Sequence, residues 1–200
     1  MELKFLDCAW NGIAIAASTD GSDGEMQPST GCTNCISCPA QGDGESQRDG
    51  RKFVIKSAWV SGSIETSAIA DAVDVADFSG YYAALVLDTQ ANGATVVSEN
   101  VYLNPGNSGS NMMPVPLRNL QNSKRFRILA SKYIYPPGAY AGTDGSGTNS
   151  IGAQKTPTFT LNWKGNINVD TTGTTADVAS VSDNVLHLIC YAGNANLTPI

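Results

Sequence analysis

Between Lys52 and Glu65 the chain reads Lys-Phe-Val-Ile-Lys-Ser-Ala-Trp-Val-Ser-Gly-Ser-Ile-Glu, a stretch dominated by β-branched and aromatic residues. A period of two predicts a strand with Phe53, Ile55 and Trp59 on one face, Ser57 between them, and Lys52, Val54 and Lys56 on the other. The lysine face is expected to be the wetter one. Tyr81 to Thr89 is a continuous apolar run, which predicts a strand buried on both faces. Alternation returns in Lys124–Tyr135, where Phe126, Ile128 and Ala130 face one way and Arg125, Arg127 and Leu129 the other, until Pro136-Pro-Gly stops it. Thr158 to Val169 alternates again, and Val185 to Ala192 reads as the last strand. Val96 to Leu103 predicts a weaker strand, and Glu2–Leu6 and Trp10–Ile15 one or two short ones.

The connections are long. Ser18 to Gly50 is rich in Gly, Ser, Asp and Pro with almost no large apolar residue, so it is expected to be a long loop that buries no core. Ala68 to Phe78 spaces Asp71, Asp74 and Asp77 three apart with Ile69, Val73 and Ala76 between them, which predicts a short amphipathic helix with a solvated acidic face. Tyr140 to Thr156 is a further Gly/Ser/Thr-rich loop. Seven or eight strands of uneven length with long crossovers fit neither a tight meander nor an alternating β/α sheet. They fit an all-β Greek-key sandwich or jelly roll. A length of 200 residues is expected to form one domain over residues 1–200.

Composition narrows the function. Charged residues are only 15% of the chain against 42% hydrophobic ones, and Glu/Lys/Leu-rich amphipathic stretches are missing, which argues against a helical protein. A formal net charge of −6 repels nucleic acid unless the basic residues cluster on one face. No apolar run approaches a membrane span and Met1–Trp10 lacks a signal-peptide pattern, so a soluble protein with no membrane partner is expected. Five cysteines, three of them crowded, fit a reducing compartment better than a secreted disulfide framework.

Candidate chemistry is sparse. Cys32, Cys35 and Cys38 have C-x2-C-x2-C spacing, but no fourth Cys follows, so a local disulfide or idle loop thiols are preferred to a metal or cluster, and no cofactor is expected. The sole histidine, His187, sits in an apolar strand and reads as a packed residue rather than a catalytic one. With no nucleophile elbow and no phosphate loop, the chain is not expected to be an enzyme. Arg48, Arg51, Lys52 and Lys56 enter one strand, and Arg118, Lys124, Arg125, Arg127 and Lys132 surround another. If the two strands share a layer, their charged faces form one positive patch; otherwise they are ordinary solvated strand edges. Trp10, Tyr81, Tyr82, Tyr133, Tyr135 and Tyr140 are exposed-aromatic candidates for a carbohydrate-binding sandwich instead.

The spaced motifs Gln41-Gly-Asp-Gly-Glu-Ser-Gln-Arg48-Asp-Gly50-Arg-Lys-Phe-Val-Ile-Lys-Ser57, Leu85-Val-Leu-Asp88, Arg118-Asn-Leu120 into Lys124-Arg-Phe-Arg-Ile-Leu129, Phe159-Thr-Leu and Asp183-Asn-Val-Leu-His-Leu-Ile189 resemble the capsid proteins of small circular single-stranded DNA viruses, the group containing geminiviruses, genomoviruses and circoviruses. The resemblance spans roughly Leu3 to Ala192. It implies a single jelly-roll β-sandwich with long inter-strand loops, many copies of which form an icosahedral shell in the virion, assembled in the host nucleus or cytoplasm. It also implies that basic residues line the interior and contact single-stranded DNA, here through Lys52, Lys56, Arg118, Lys124, Arg125, Arg127 and Lys132. Such proteins generally open on a long Arg/Lys-rich arm and close on an Arg-x-Arg-Phe strand, whereas this sequence opens on an acidic segment and closes on Asn196-Leu-Thr-Pro-Ile200. With few phosphates for Lys52, Lys56, Arg125 and Arg127 to neutralise, weak, salt-sensitive DNA contact is expected, and a missing final strand would leave an edge of the sandwich open.

Overall fold

A computed structural model describes residues 3–7, 35–63, 81–94, 96, 98–103, 117–134, 141–143, 149–151 and 158–192. The strands in chain order are β1 (Lys52–Ser63), β2 (Tyr81–Asp88), β3 (Tyr102–Leu103), β4 (Leu117–Arg118), β5 (Phe126–Ile134), β6 (Ala141–Thr143), β7 (Asn149–Ile151), β8 (Thr158–Thr171), β9 (Val181–Asp183) and β10 (Val185–Ala192). A single helical turn, α1 (Ser98–Val101), precedes β3. The described fold is all-β.

Two antiparallel three-stranded sheets carry it, in the orders β1-β8-β9 and β10-β2-β5, beside the small ladders β3-β4 and β6-β7. Their inner faces share one core. Val60, Phe159, Leu161, Ile167, Val169 and Val181 come from the first sheet, and Ala83, Leu85, Leu87, Ile134, Leu186 and Leu188 from the second. Each large aliphatic side chain buried there contributes roughly 1.5–3 kcal/mol of transfer free energy. The far face of the second sheet is covered as well: Ala84, Val86, Phe126 and Ile189 pack with Val96, Val101 and Tyr102. Both faces of β2 are therefore dry, as its unbroken apolar run predicts.

Two irregularities overturn the face assignments drawn from a strict period of two. Ile55 pairs with Ile167 but Ala58 with Trp163, so three steps along β1 match four along β8. The inward set moves from Phe53 and Ile55 to Ala58 and Val60, and Trp59 is turned outward, 69% exposed. Gly165 in this stretch lies against the Trp163 indole, where a Cβ would come within 2.5 Å of Cζ2. On β5, Leu85 pairs with Ala130 and Val86 with Ile128, leaving Leu129 as the extra residue. Phe126 and Ile128 then belong to the outer cluster, while Leu129 and Ala130 pack on the main core.

Other expectations are corrected too. Residues 3–7 form no strand. The Val96–Leu103 strand is largely the turn α1 with two residues of β3, and the Tyr140–Thr156 loop contains the β6-β7 ladder. The end of the Ser18–Gly50 loop is docked: Cys35, Ser37 and Arg48 are buried, and Arg48 donates to the carbonyls of Pro39, Gly50 and Gly173. Residues 64–80, with the predicted helix, lie outside the described residues. At the corner between the sheets, β9 and β10 are joined by Asn184 alone, in the left-handed region at φ 59°. Its Nδ2 donates to Asn168 O at 2.8 Å and to Asp183 Oδ2 at 3.0 Å.

Candidate nucleic-acid interface

The basic residues singled out from the sequence do not form one patch by sharing a layer. Lys52 and Lys56 are on β1 in the first sheet, and Arg127 and Lys132 on β5 in the second. Lys52 Nζ lies 3.3 Å from Asp170 Oδ2 across the β1-β8 ladder, and Lys56 Nζ donates to Asn166 Oδ1 at 2.6 Å. Lys124, Arg127 and Lys132 are exposed.

Two of the expected contacts are engaged in structure. Arg125 donates from Nε and Nη2 to the two carboxylate oxygens of Asp88, each at 2.8 Å, and its guanidinium sits 4.8 Å from the Phe126 ring centroid. The Asp88 side chain is 1% exposed and the Arg125 side chain 31%. Hydrogen bonding to Asp88 raises the already high Arg125 pKa, while burial opposes that rise. Arg118 donates from Nη2 to Phe126 O at 2.9 Å and to Ser123 O at 3.3 Å, tying β4 to the start of β5. Arg118 remains exposed while making these bonds.

A different surface emerges on the outer face of β1 and β8. Beyond the register shift, Ser57, Trp59 and Ser61 pair with Lys164, Asn162 and Thr160, and all six are exposed. The Trp59 indole thus stands on an exposed polar face with Lys164 diagonal to it and Lys56 just beyond. Two carboxylates of this sheet face, the cross-strand pair Asp170 and Asp183, are at the other end, Asp170 beside Lys52. An exposed aromatic flanked by ammonium groups can stack a base and hold its phosphate without reading sequence. Sequence reasoning missed it because an unbroken alternation buries Trp59; the Gly165-Asn166 pair inside β8 was the signal of irregularity.

The remaining candidates resolve differently. Cys35 and Cys38 are joined in a disulfide, so neither offers a thiolate to a metal, and Cys32 lies outside the described residues. Of the two alternatives preferred to a metal, a local disulfide and idle loop thiols, Cys35 and Cys38 take the first. Among the described residues no group of three His, Cys, Asp or Glu is placed to hold a metal ion. His187 is fully buried in β10, and burial, opposed by Asp88 and reinforced by Arg125, pushes its pKa down to about 4. Tyr82 is half-buried against Tyr102, ring centroids 5.6 Å apart at 86°, and Tyr133 is half-buried, so neither is the exposed platform expected. Trp10, Tyr135 and Tyr140 lie outside the described residues, and nothing is described of the Tyr81 side chain. No described helix is long and apolar enough to cross a membrane. Comparison with protein-family models and with curated proteins matched nothing.

Proposed function

We propose that this chain is a viral coat-protein subunit: a single jelly roll, without catalytic function, that assembles in many copies into an icosahedral shell around circular single-stranded DNA. The strand order carries the reading. A jelly roll winds an antiparallel ribbon around a barrel, so each layer interleaves strands from the two ends of the chain. Here Cys35 bridges to His187 on the outer edge of β10, which extends the second sheet to the order 35–36, β10, β2, β5. Its neighbours by position are then first, last, early and middle in sequence. In the other layer the early β1 lies beside the late β8. This interleaving, with the sequence resemblance to capsid proteins, favours a coat subunit over a meander-type binding module.

Exposed Leu3, Phe5, Leu117 and Leu120 supply apolar anchors of the kind that subunit contacts bury. The packaged strand is assigned to the Trp59, Lys56 and Lys164 face rather than to Arg118 and Arg125. With few ammonium groups available, binding is weak and independent of sequence, with a shallow salt slope. Negative-stain microscopy of the purified chain over a range of salt and pH tests the shell directly: closed particles of uniform size are expected, and monomers under every condition refute it. A carbohydrate-binding sandwich is the second reading, favoured by the hydroxyl and amide groups around Trp59; specific signals on a glycan array in the absence of particles would select it.

A further inference from the structure

The Cys35–Cys38 disulfide closes a ring of four residues that lies on the outer edge of β10. Both main-chain groups of Leu186 on that edge are taken by the residues inside the ring. Ile36 N–H donates to Leu186 O at 2.9 Å, and Leu186 N–H donates to Ser37 Oγ at 2.9 Å. Cys35 and Ser37 are buried, whereas Cys38 is half-buried and is the sulfur that a dissolved thiol reaches first. An uncovered strand edge presents unpaired N–H and C=O groups and templates pairing with another strand, so a covered edge is a protected one. The ring holds its donor and acceptor in place because the bond removes most of the freedom of a four-residue segment.

We propose that the Cys35–Cys38 disulfide is a thiol-sensitive latch that keeps residues 35–38 over the edge of β10, and that a small dithiol releases it. One thiolate of the reductant attacks Cys38 sulfur, forming a mixed disulfide and expelling Cys35 as a thiolate that takes up a proton. The second thiolate of the reductant then displaces Cys38, so the reductant leaves as a disulfide and both cysteines become thiols. The freed segment no longer fixes Ile36 and Ser37, and Leu186 is left open to an incoming strand. Cys190 in β10 does not join the exchange: it is buried, and burial pushes its thiol up to about 12, so no thiolate forms near neutral pH. The latch is independent of the coat-protein reading and would operate in any protein with this edge.

Residue-resolved hydrogen exchange of the full chain, with and without dithiothreitol, tests it. Mass mapping of alkylated thiols first establishes which cysteines are free; a chain isolated without reductant in which Cys35 and Cys38 are both alkylated overturns the latch. On reduction the amides of Ile36 and Leu186 are expected to exchange at least about tenfold faster, while that of Leu85 in the central strand is unchanged. Equal protection in the two redox states, or an equal acceleration at Leu85, overturns it. The Cys35→Ser/Cys38→Ser variant is expected to show the fast exchange without reductant and no response to it. Full protection of Leu186 in that variant also overturns the latch, and the wild-type comparison stands alone if the variant does not fold.

Discussion

Acid should unfold this protein first through His187. The imidazole is fully buried in β10 opposite Val86, with Asp88 and Arg125 the charged groups that act on it. Burial disfavours the imidazolium and sets the folded pKa at about 4, against an ordinary histidine value of 6.5. Below pH 6.5 the unfolded chain takes up a proton that the folded chain refuses until about pH 4. Stability therefore falls as pH drops through that window, is already at its full value above it, and changes no further on this account below it. At about 1.4 kcal/mol per pKa unit, the loss is about 2 kcal/mol by pH 5 and about 3 kcal/mol by pH 4. Asp177, whose pKa is lowered chiefly by its hydrogen bond from Thr175, loses its contribution only below its ordinary value of 3.8, outside this window. Urea unfolding at pH 7, 6, 5 and 4.5, compared between the wild type and His187→Gln, isolates the effect. A wild-type free energy that is flat from pH 7 to 4.5, or a slope that survives in His187→Gln, would refute the reasoning.

The Asp88–Arg125 pair should break asymmetrically. Arg125→Met strands a carboxylate that cannot rehydrate and should cost about 3–5 kcal/mol, whereas Asp88→Asn leaves a guanidinium able to turn to water and should cost roughly 2 kcal/mol; chemical denaturation that reverses this order argues against it. Trp59→Ala should change stability by less than about 0.5 kcal/mol yet weaken binding of a single-stranded oligonucleotide about tenfold, read by fluorescence anisotropy at low salt. Undiminished binding would remove the β1-β8 face from the interface. Leu161→Ala, at a core position 2% exposed, should cost about 2–5 kcal/mol, and a loss below about 1 kcal/mol would contradict the shared core.

Local pattern was enough to locate most long strands. β10 has the predicted bounds Val185–Ala192, and β2 and β8 lie within two residues of theirs, because alternation and unbroken apolar runs are properties of neighbouring residues. What local pattern does not carry is pairing. Whether β1 and β5 share a layer depends on contacts over many tens of residues, and their separation dissolved the single basic patch. The register shifts are equally non-local: at the first, the alternation of β1 reverses while β8 keeps its odd-numbered residues inward, so Trp59 moved from core to surface, and at the second the extra residue reverses the faces of β5. Docking of residues 35–50 was hidden for another reason. That segment is held by Arg48 reaching carbonyls, by main-chain hydrogen bonds to Leu186 and Thr174, and by Cys35, Ile36 and Cys38 packing on the core, contacts that a Gly/Ser/Asp-rich composition does not announce.

The single-residue passage through Asn184 has a mechanical consequence. One residue reaches only about 3.5 Å, so the late strands of the two layers are tethered at their shared corner. The layers cannot part there like the covers of a book without stripping β9 from β8 or β10 from β2. Melting should therefore be concerted across both sheets, and a load that shears the corner is shared between two ladders at once instead of peeling one strand at a time.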